Sequence, residues 1–181
     1  MLGSCFNTKR NKTHPKIYWP HFPYFAERRE MNITILTGAV GSGETTQLLN
    51  YCKQQTHAVG ILTPVFKGKR HFMNIETQEL NSMEAEENEK DFVSVGKYRF
   101  STQAFRNANE VIINSSSLAG AQIVIDEIGP LELQGKGFYN TLSQLLSLND
   151  PAFDLLLVIR ENLVEKVIEE YHLKQGLLTG A

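Results

Sequence analysis

The chain has 181 residues, 41% of them hydrophobic and 21% charged, which is the composition of one domain able to bury a core without disulfides or metals. It contains two cysteines, Cys5 and Cys52, too few for a scaffold built on disulfides. No apolar run is as long as a membrane span, and the first residues lack the apolar segment of a signal peptide. We therefore expect a cytoplasmic protein that does not associate with a membrane.

The charge is unevenly distributed and separates a basic N-terminal arm, residues 1–30, from a domain at 31–181. The net charge is −2, and the six basic and two acidic residues of the arm give it +4, which leaves −6 for the domain. The arm also holds six of the seventeen aromatic residues and three closely spaced prolines, which disfavour a regular helix or central strand. Such a segment is able to bind single-stranded nucleic acid, but the acidic domain argues against nucleic acid as a partner. An arm that packs on the domain or on a protein partner is the simpler interpretation.

The predicted elements of the domain alternate between strands and helices. Strands are predicted at 32–37, 58–63, 92–95, 97–100, 121–125 and 154–159, and helices at 45–54, 101–117, 139–148 and 161–171. The two short strands on either side of Gly96 predict a hairpin, and the charged run 84–89 predicts a solvated loop. Apolar strands separated by helices are typical of an α/β fold whose mostly parallel sheet is covered on both faces.

A glycine-rich segment follows the first predicted strand and has the pattern of a phosphate-binding loop. Its residues are Gly38, Ala39, Val40, Gly41, Ser42, Gly43, Glu44, Thr45 and Thr46. They match G-x-x-x-x-G-K-[ST] except at Glu44, where the pattern has lysine. The glycines allow successive N–H groups to surround a phosphate, and the following helix presents its positive end. We expect Thr45 to bind Mg²⁺ and Thr46 to contact an inner phosphate; a glycine-rich turn that binds nothing is the alternative.

A second motif lies some eighty residues downstream, where the apolar run 122–125 ends in Asp126 and Glu127. In phosphate-loop proteins a carboxylate in this position holds the Mg²⁺ shell, and an acidic neighbour can deprotonate the attacking water. Asp126 is therefore predicted to be the metal residue and Glu127 the general base, although paired acids at a strand end are also common on protein surfaces. Both motifs follow strands at the sheet edge where α/β proteins bind ligands, which favours a nucleotide site.

The run Ile125-Asp126-Glu127-Ile128-Gly129-Pro130-Leu131-Glu132-Leu133 resembles the signature of the small nucleoside triphosphatases that include the cancer-related nucleoside triphosphatase and its bacterial and archaeal relatives. The resemblance extends over about residues 32–170 and includes the segments 38–46, 60–64, 68–72, 96–100 and 104–105. It implies a three-layer, RecA-like phosphate-loop fold with a β-hairpin insertion. It also implies Mg²⁺-dependent hydrolysis of ATP, GTP and other nucleoside triphosphates to diphosphates.

The sequence departs from this family at Glu44, at His71, where a glycine is usual, and in the additional residues 1–30. Glu44 has the greatest consequence, because a lysine about 4 Å from a phosphate charge interacts by roughly 4 kcal/mol at an effective dielectric constant of 20. Reversing this charge is expected to weaken transition-state stabilisation at the γ-phosphate most. Three arginines are candidate replacements for the lysine, each with a surface ion pair as the alternative role: Arg70, Arg99 and Arg160.

Three functions are compatible with these motifs. The first is hydrolysis of nucleoside triphosphates, and the second is a nucleotide-binding module that Glu44 has impaired, acting as a sensor or as a partner of another protein. The third is a small-molecule or nucleotide kinase, which the acidic pair disfavours because it suits activation of water. The histidines and cysteines show no spacing typical of a metal site.

Overall fold

A computed structural model of the protein describes residues 30–38 and 44–173. The predictions for the basic arm and for Ala39, Val40, Gly41, Ser42 and Gly43 therefore lie outside the described residues. Of Gly38 and Glu44, the structure describes the backbone.

The described residues form nine strands and four α-helices. In chain order these are β1 (Ile33–Gly38), α1 (Glu44–Gln54), β2 (Ala58–Leu62), β3 (Val65–Phe66), β4 (Lys69–Asn74), β5 (Leu80–Ser82), β6 (Phe92–Val95), β7 (Tyr98–Ser101), α2 (Thr102–Ser115), β8 (Gln122–Ile128), α3 (Tyr139–Leu146), β9 (Asp154–Arg160) and α4 (Val164–Glu170). Two short 3₁₀ turns lie at Glu132–Gln134 and Glu161–Leu163. Within these ranges no helix is long and apolar enough to cross a membrane.

Seven of the strands form one mixed sheet in the order β1-β9-β8-β2-β4-β3, with β5 also paired to β4. The pairs β1–β9, β9–β8 and β8–β2 are parallel, whereas β4 is antiparallel to β2, β3 and β5. Strand β9 therefore lies between β1, which leads into the glycine-rich loop, and β8, which carries the acidic pair. β6 and β7 form the predicted hairpin as a separate two-stranded sheet.

The sheet is covered on both faces, as its continuous apolar strands predict. Along β8, Ile123 and Ile125 belong to a large core that α2, α3 and α4 cover, whereas Val124 between them belongs to a smaller core beneath α1. Both cores are closed by buried helical side chains, for example Leu48 of α1 and Ile112 of α2. The α/β fold with a mostly parallel sheet and helices on both faces is thus confirmed.

Two local features explain how the elements begin and fit together. The side chain of Ser101 accepts a hydrogen bond from the backbone N–H of Ala104, which caps α2 as the sequence predicts. In β2, Gly60 has a φ of +107°, and a Cβ there would collide with the carbonyl oxygen of Val124. Glycine at this position therefore allows β2 and β8 to approach closely.

The structure differs from the predicted elements in two places. Strands β3, β4 and β5 were not predicted, and in β3 and β5 every residue is exposed and no apolar periodicity is present. The last predicted helix, 161–171, is a 3₁₀ turn followed by the shorter helix α4. The remaining elements match their predicted ranges to within three residues at each end.

Candidate nucleotide site

The two sequence motifs meet at the carboxyl ends of the parallel strands. Thr45, in the first turn of α1, donates a hydrogen bond from its hydroxyl to Oδ2 of Asp126 at 3.3 Å. The same oxygen accepts the backbone N–H of Thr63, just after β2, at 2.9 Å. Three elements that are distant in sequence, α1, β2 and β8, therefore position one carboxylate.

Asp126 lies in an environment that disfavours its own charge. It is 2% exposed, and burial raises its pKa to about 6, with a smaller contribution from the charge of Glu127 and an opposing one from the N–H of Thr63. Among the described residues it has no ion-pair partner. A divalent cation would offset this cost, and the carboxylate and hydroxyl oxygens of Asp126 and Thr45 are the hard ligands that Mg²⁺ prefers. The donor set thus fits Mg²⁺.

Glu127 faces a different environment because β8 contains a bulge at this point. The pairing with β9 shifts between Asp126 and Ile128, so Glu127 is the extra residue. Its carboxylate accepts a hydrogen bond from Nε of Arg160 and lies 3.7 Å from a guanidinium nitrogen of Arg70. The side chain is 21% exposed, so a carboxylate already paired with two cations borders solvent.

Of the other predicted site residues, some are brought to this edge and some are not. Gly38 ends β1 and pairs in register with Arg160, which places Arg160 beside the start of the glycine-rich loop. Thr46 lies in the first turn of α1 and is exposed. Arg99 is elsewhere: its guanidinium lies 3.9 Å from the ring centroid of Phe92 and donates to a backbone carbonyl. Two of the three candidate arginines therefore meet at Glu127.

Glu132 is the residue whose importance sequence reasoning missed. It is 2% exposed, and its two carboxylate oxygens accept the backbone N–H groups of Gly129 at 2.7 Å and Phe138 at 2.9 Å. Burial raises the pKa of Glu132 to about 7, against the effect of these hydrogen bonds. The carboxylate thus stabilises the loop after β8. An acid within the apolar run Pro130-Leu131-Glu132-Leu133 was the available signal.

A cavity of about 280 Å³ opens next to Glu127. It lies between the β6–β7 hairpin and the loop that Glu132 stabilises, and Arg70 and Arg160 border it together with Glu127. In the described part of the chain no group of three or more histidine, cysteine or acidic side chains is placed to hold a metal ion. Burial raises the pKa of the Cys52 thiol to about 11, which disfavours the reactive thiolate form.

The mostly parallel sheet, in which one strand is followed by a glycine-rich sequence and a helix and another strand carries a buried aspartate near its end, is the architecture of a phosphate-loop nucleoside triphosphatase. A family model described as NTPase matches residues 33–178, and the chain belongs to this family of small phosphate-loop proteins. The match confirms the family that the sequence resembles.

Two solved structures are similar to this fold. THEP1 from the hyperthermophile Aquifex aeolicus has 22% sequence identity and a TM-score of 0.62, and a human cancer-related nucleoside triphosphatase has 23% identity and a TM-score of 0.58. Each similarity covers 82% of this chain and 87% of the other. A search of curated proteins finds no significant match.

Proposed function

We propose that the protein binds nucleoside triphosphates at Gly38–Thr46 and hydrolyses them with Mg²⁺ to the diphosphate and phosphate. The observation that carries this proposal is the hydrogen bond between Thr45 and Asp126, with Glu127 as the next residue. It joins the start of the helix after the glycine-rich loop to the acidic strand end, which are the two parts a phosphate-loop enzyme must bring together. Family membership supports nucleotide hydrolysis in general.

Thr45 and Asp126 would hold the metal ion. Bound Mg²⁺ supplies positive charge that neutralises the phosphates. The chain itself contributes the orientation of the ligands: the N–H of Thr63 fixes one carboxylate oxygen of Asp126, and the first turn of α1 fixes the hydroxyl of Thr45. A cation here would also favour the ionised form of Asp126, whose burial otherwise opposes it.

Glu127 would act as the general base that takes a proton from the attacking water. In the structure its carboxylate is paired with Arg160 and lies near Arg70. A γ-phosphate entering beside these groups would compete for the guanidinium of Arg160 and leave an oxygen of Glu127 available to water. The same arginine would then supply positive charge to the phosphate.

In this role Arg160 would compensate for the glutamate at position 44, where the family has lysine. The family's lysine is absent, and Arg160 is the cation whose backbone pairs with Gly38 at the start of the loop. Its guanidinium donates a hydrogen bond to Glu127, so Arg160 connects the strand position beside Gly38 with the predicted base. Charge lost from the loop would thus be replaced from β9.

A nucleotide-binding module with impaired turnover is the second candidate, and Glu44 is the observation that favours it. A carboxylate at this position repels phosphate, by an amount of the order of the roughly 4 kcal/mol that a lysine contributes at an effective dielectric constant of 20. Backbone N–H groups and a metal ion are still able to hold the inner phosphates. Such a protein would bind nucleotide and turn it over slowly or not at all.

The test is Mg²⁺-dependent phosphate release from ATP and GTP by the protein and by the Glu44→Lys variant, with Glu127→Gln as the matched control. We expect the protein and the Glu44→Lys variant both to release phosphate, and the rate of release by Glu127→Gln to be lower by about 100-fold or more. Release by Glu44→Lys alone would establish the impaired module. No release by either, with a fluorescent nucleotide still bound, would remove Glu127 as a base; no bound nucleotide would overturn both candidates.

A further inference from the structure

The cavity beside Glu127 has properties that hydrolysis of a triphosphate does not require. Water needs only a small opening, whereas this cavity has a volume of about 280 Å³, close to the size of pockets that hold small organic molecules. Its far wall is the β6–β7 hairpin, which is a separate sheet and contributes nothing to the proposed metal or phosphate contacts. Nucleotide hydrolysis therefore does not explain why the hairpin borders the cavity.

Five aromatic side chains line the cavity. Phe72, Phe105 and Phe138 pack edge to face, with ring centroids 5.0–5.7 Å apart. On the hairpin, the ring of Tyr98 stacks parallel to that of Phe100, with centroids 6.0 Å apart, and Tyr98 remains 44% exposed. An exposed ring fixed in orientation beside an open cavity offers a surface on which a flat ligand can stack.

The charges around the cavity favour an anion. Three cations border it, Arg70, Lys97 and Arg160, against the two acids Glu127 and Glu132. Glu132 is hydrogen-bonded within its own loop, and Glu127 is closely bonded to Arg160. Arg70, which forms an ion pair with Glu127 at 3.7 Å, and Lys97, whose ammonium lies 5.4 Å from the centroid of the Tyr98 ring, are the two other cations placed to meet a ligand carboxylate or phosphate.

We propose that this cavity binds a second ligand, a small aromatic compound with an anionic group, whose ring stacks on Tyr98 and whose charge meets Arg70 and Lys97. The ligand would contact Glu127 but neither Thr45 nor Asp126, which do not line the cavity. Nucleotide and aromatic anion would then occupy adjacent sites at the same time. The proposal does not require the protein to hydrolyse nucleotide.

The experiment is isothermal titration of the full chain with 1-naphthyl phosphate, with and without a saturating non-hydrolysable ATP analogue. Two comparison ligands separate the contributions: glycerol 3-phosphate has the charge without the ring, and 1-naphthol has the ring without the charge. We expect naphthyl phosphate to bind about tenfold more tightly than either, with the analogue present, because stacking and charge pairing both contribute. Failure of the ATP analogue to bind would count against the nucleotide site, whereas binding of naphthyl phosphate in its absence would still support the cavity.

Matched variants locate the binding. Tyr98→Ala and Lys97→Ala are expected to weaken naphthyl phosphate binding by about tenfold and about threefold. Tyr51→Ala and Lys53→Ala remove the same side chains from α1, outside the cavity, and should leave binding unchanged. Thermal unfolding of each variant checks that the hairpin is intact. Equal binding of naphthyl phosphate and glycerol 3-phosphate, or unchanged binding by Tyr98→Ala, would overturn the proposal.

Discussion

Asp126 and Glu132 are two equally buried carboxylates, six residues apart, that are satisfied in different ways. Each is 2% exposed, and burial raises the pKa of each. Glu132 bonds two N–H groups, both from its own loop. One oxygen of Asp126, Oδ2, accepts hydrogen bonds from the hydroxyl of Thr45 in α1 and from the backbone N–H of Thr63 after β2.

This difference is the one expected between a structural acid and the metal ligand proposed for Asp126. Both oxygens of Glu132 are used to hold the loop, so the loop would change if the acid were removed. Asp126 joins elements that the sheet already holds in place, and its charge has no cationic partner in the described part of the chain. The three predictions below test this distinction.

The largest effect is expected for Asp126→Asn. Phosphate release should fall at least about 100-fold, because the proposed metal residue loses its charge. Without Mg²⁺ at pH 7, the free energy of unfolding should rise, by at most about 3 kcal/mol, since a buried charge is removed. Phosphate-release assays and urea unfolding measure the two quantities; a less stable variant would mean that Asp126 is structural, like Glu132.

Glu132→Gln should change the pH dependence of stability and leave turnover within a few-fold. Because the pKa of Glu132 is raised to about 7 in the folded protein from an ordinary 4.5, folding takes up a proton between these values. The contribution of Glu132 to the stability of the unsubstituted protein should therefore be greatest below about pH 4.5, decline as the pH rises towards 7, and level off above it.

The glutamine variant lacks this titration, so the difference in unfolding free energy between the two proteins should change by up to about 3 kcal/mol between pH 4.5 and 8. Groups common to both proteins cancel in this difference. Urea unfolding at a series of pH values measures it. A constant difference would show that Glu132 titrates alike in the folded and unfolded states.

The smallest effect is expected when alanine replaces Gly135 or Gly137, and the two losses of stability separate backbone strain from the contact with Glu132. Gly137 has a φ of +61°, and a Cβ there would collide with Oε1 of Glu132. Gly135 has a similar φ of +70°, but a Cβ added to it would have no atom within 4 Å. Gly135→Ala should cost about 1 kcal/mol of stability for its conformation alone. Gly137→Ala should cost about 1–2 kcal/mol more, because the displaced carboxylate loses a hydrogen bond. Equal losses in thermal unfolding would show that the carboxylate moves aside freely.

The sequence predicted the parts of the fold that depend on burial. Strands β8 and β9 are continuous apolar runs, and α2 begins at a capping serine, so both signals are local. Strand β4 contains polar residues although it pairs with three other strands, and β3 and β5 are exposed. None of these three strands therefore has a hydrophobic periodicity from which it could be predicted.

At the candidate site, the order of the motifs predicted that Thr45 and Asp126 would lie close together, and the structure brings them into contact. It could not predict which arginine meets Glu127, because this depends on the position of β9 and on the bulge in β8. The contacts of Glu132 were equally hidden, since their donors are backbone N–H groups, which leave no trace in a sequence. The roles proposed for these residues remain predictions.

The order of the strands also sets a distance. Because neighbouring strands are about 4.8 Å apart, placing β9 between them separates β1 from β8 by about 10 Å at the sheet edge. Strand β9 ends between them at Arg160, whose backbone pairs with Gly38. The side chain at position 160 therefore starts between the end of β1 and the acidic pair of β8, and its length decides whether it reaches Glu127.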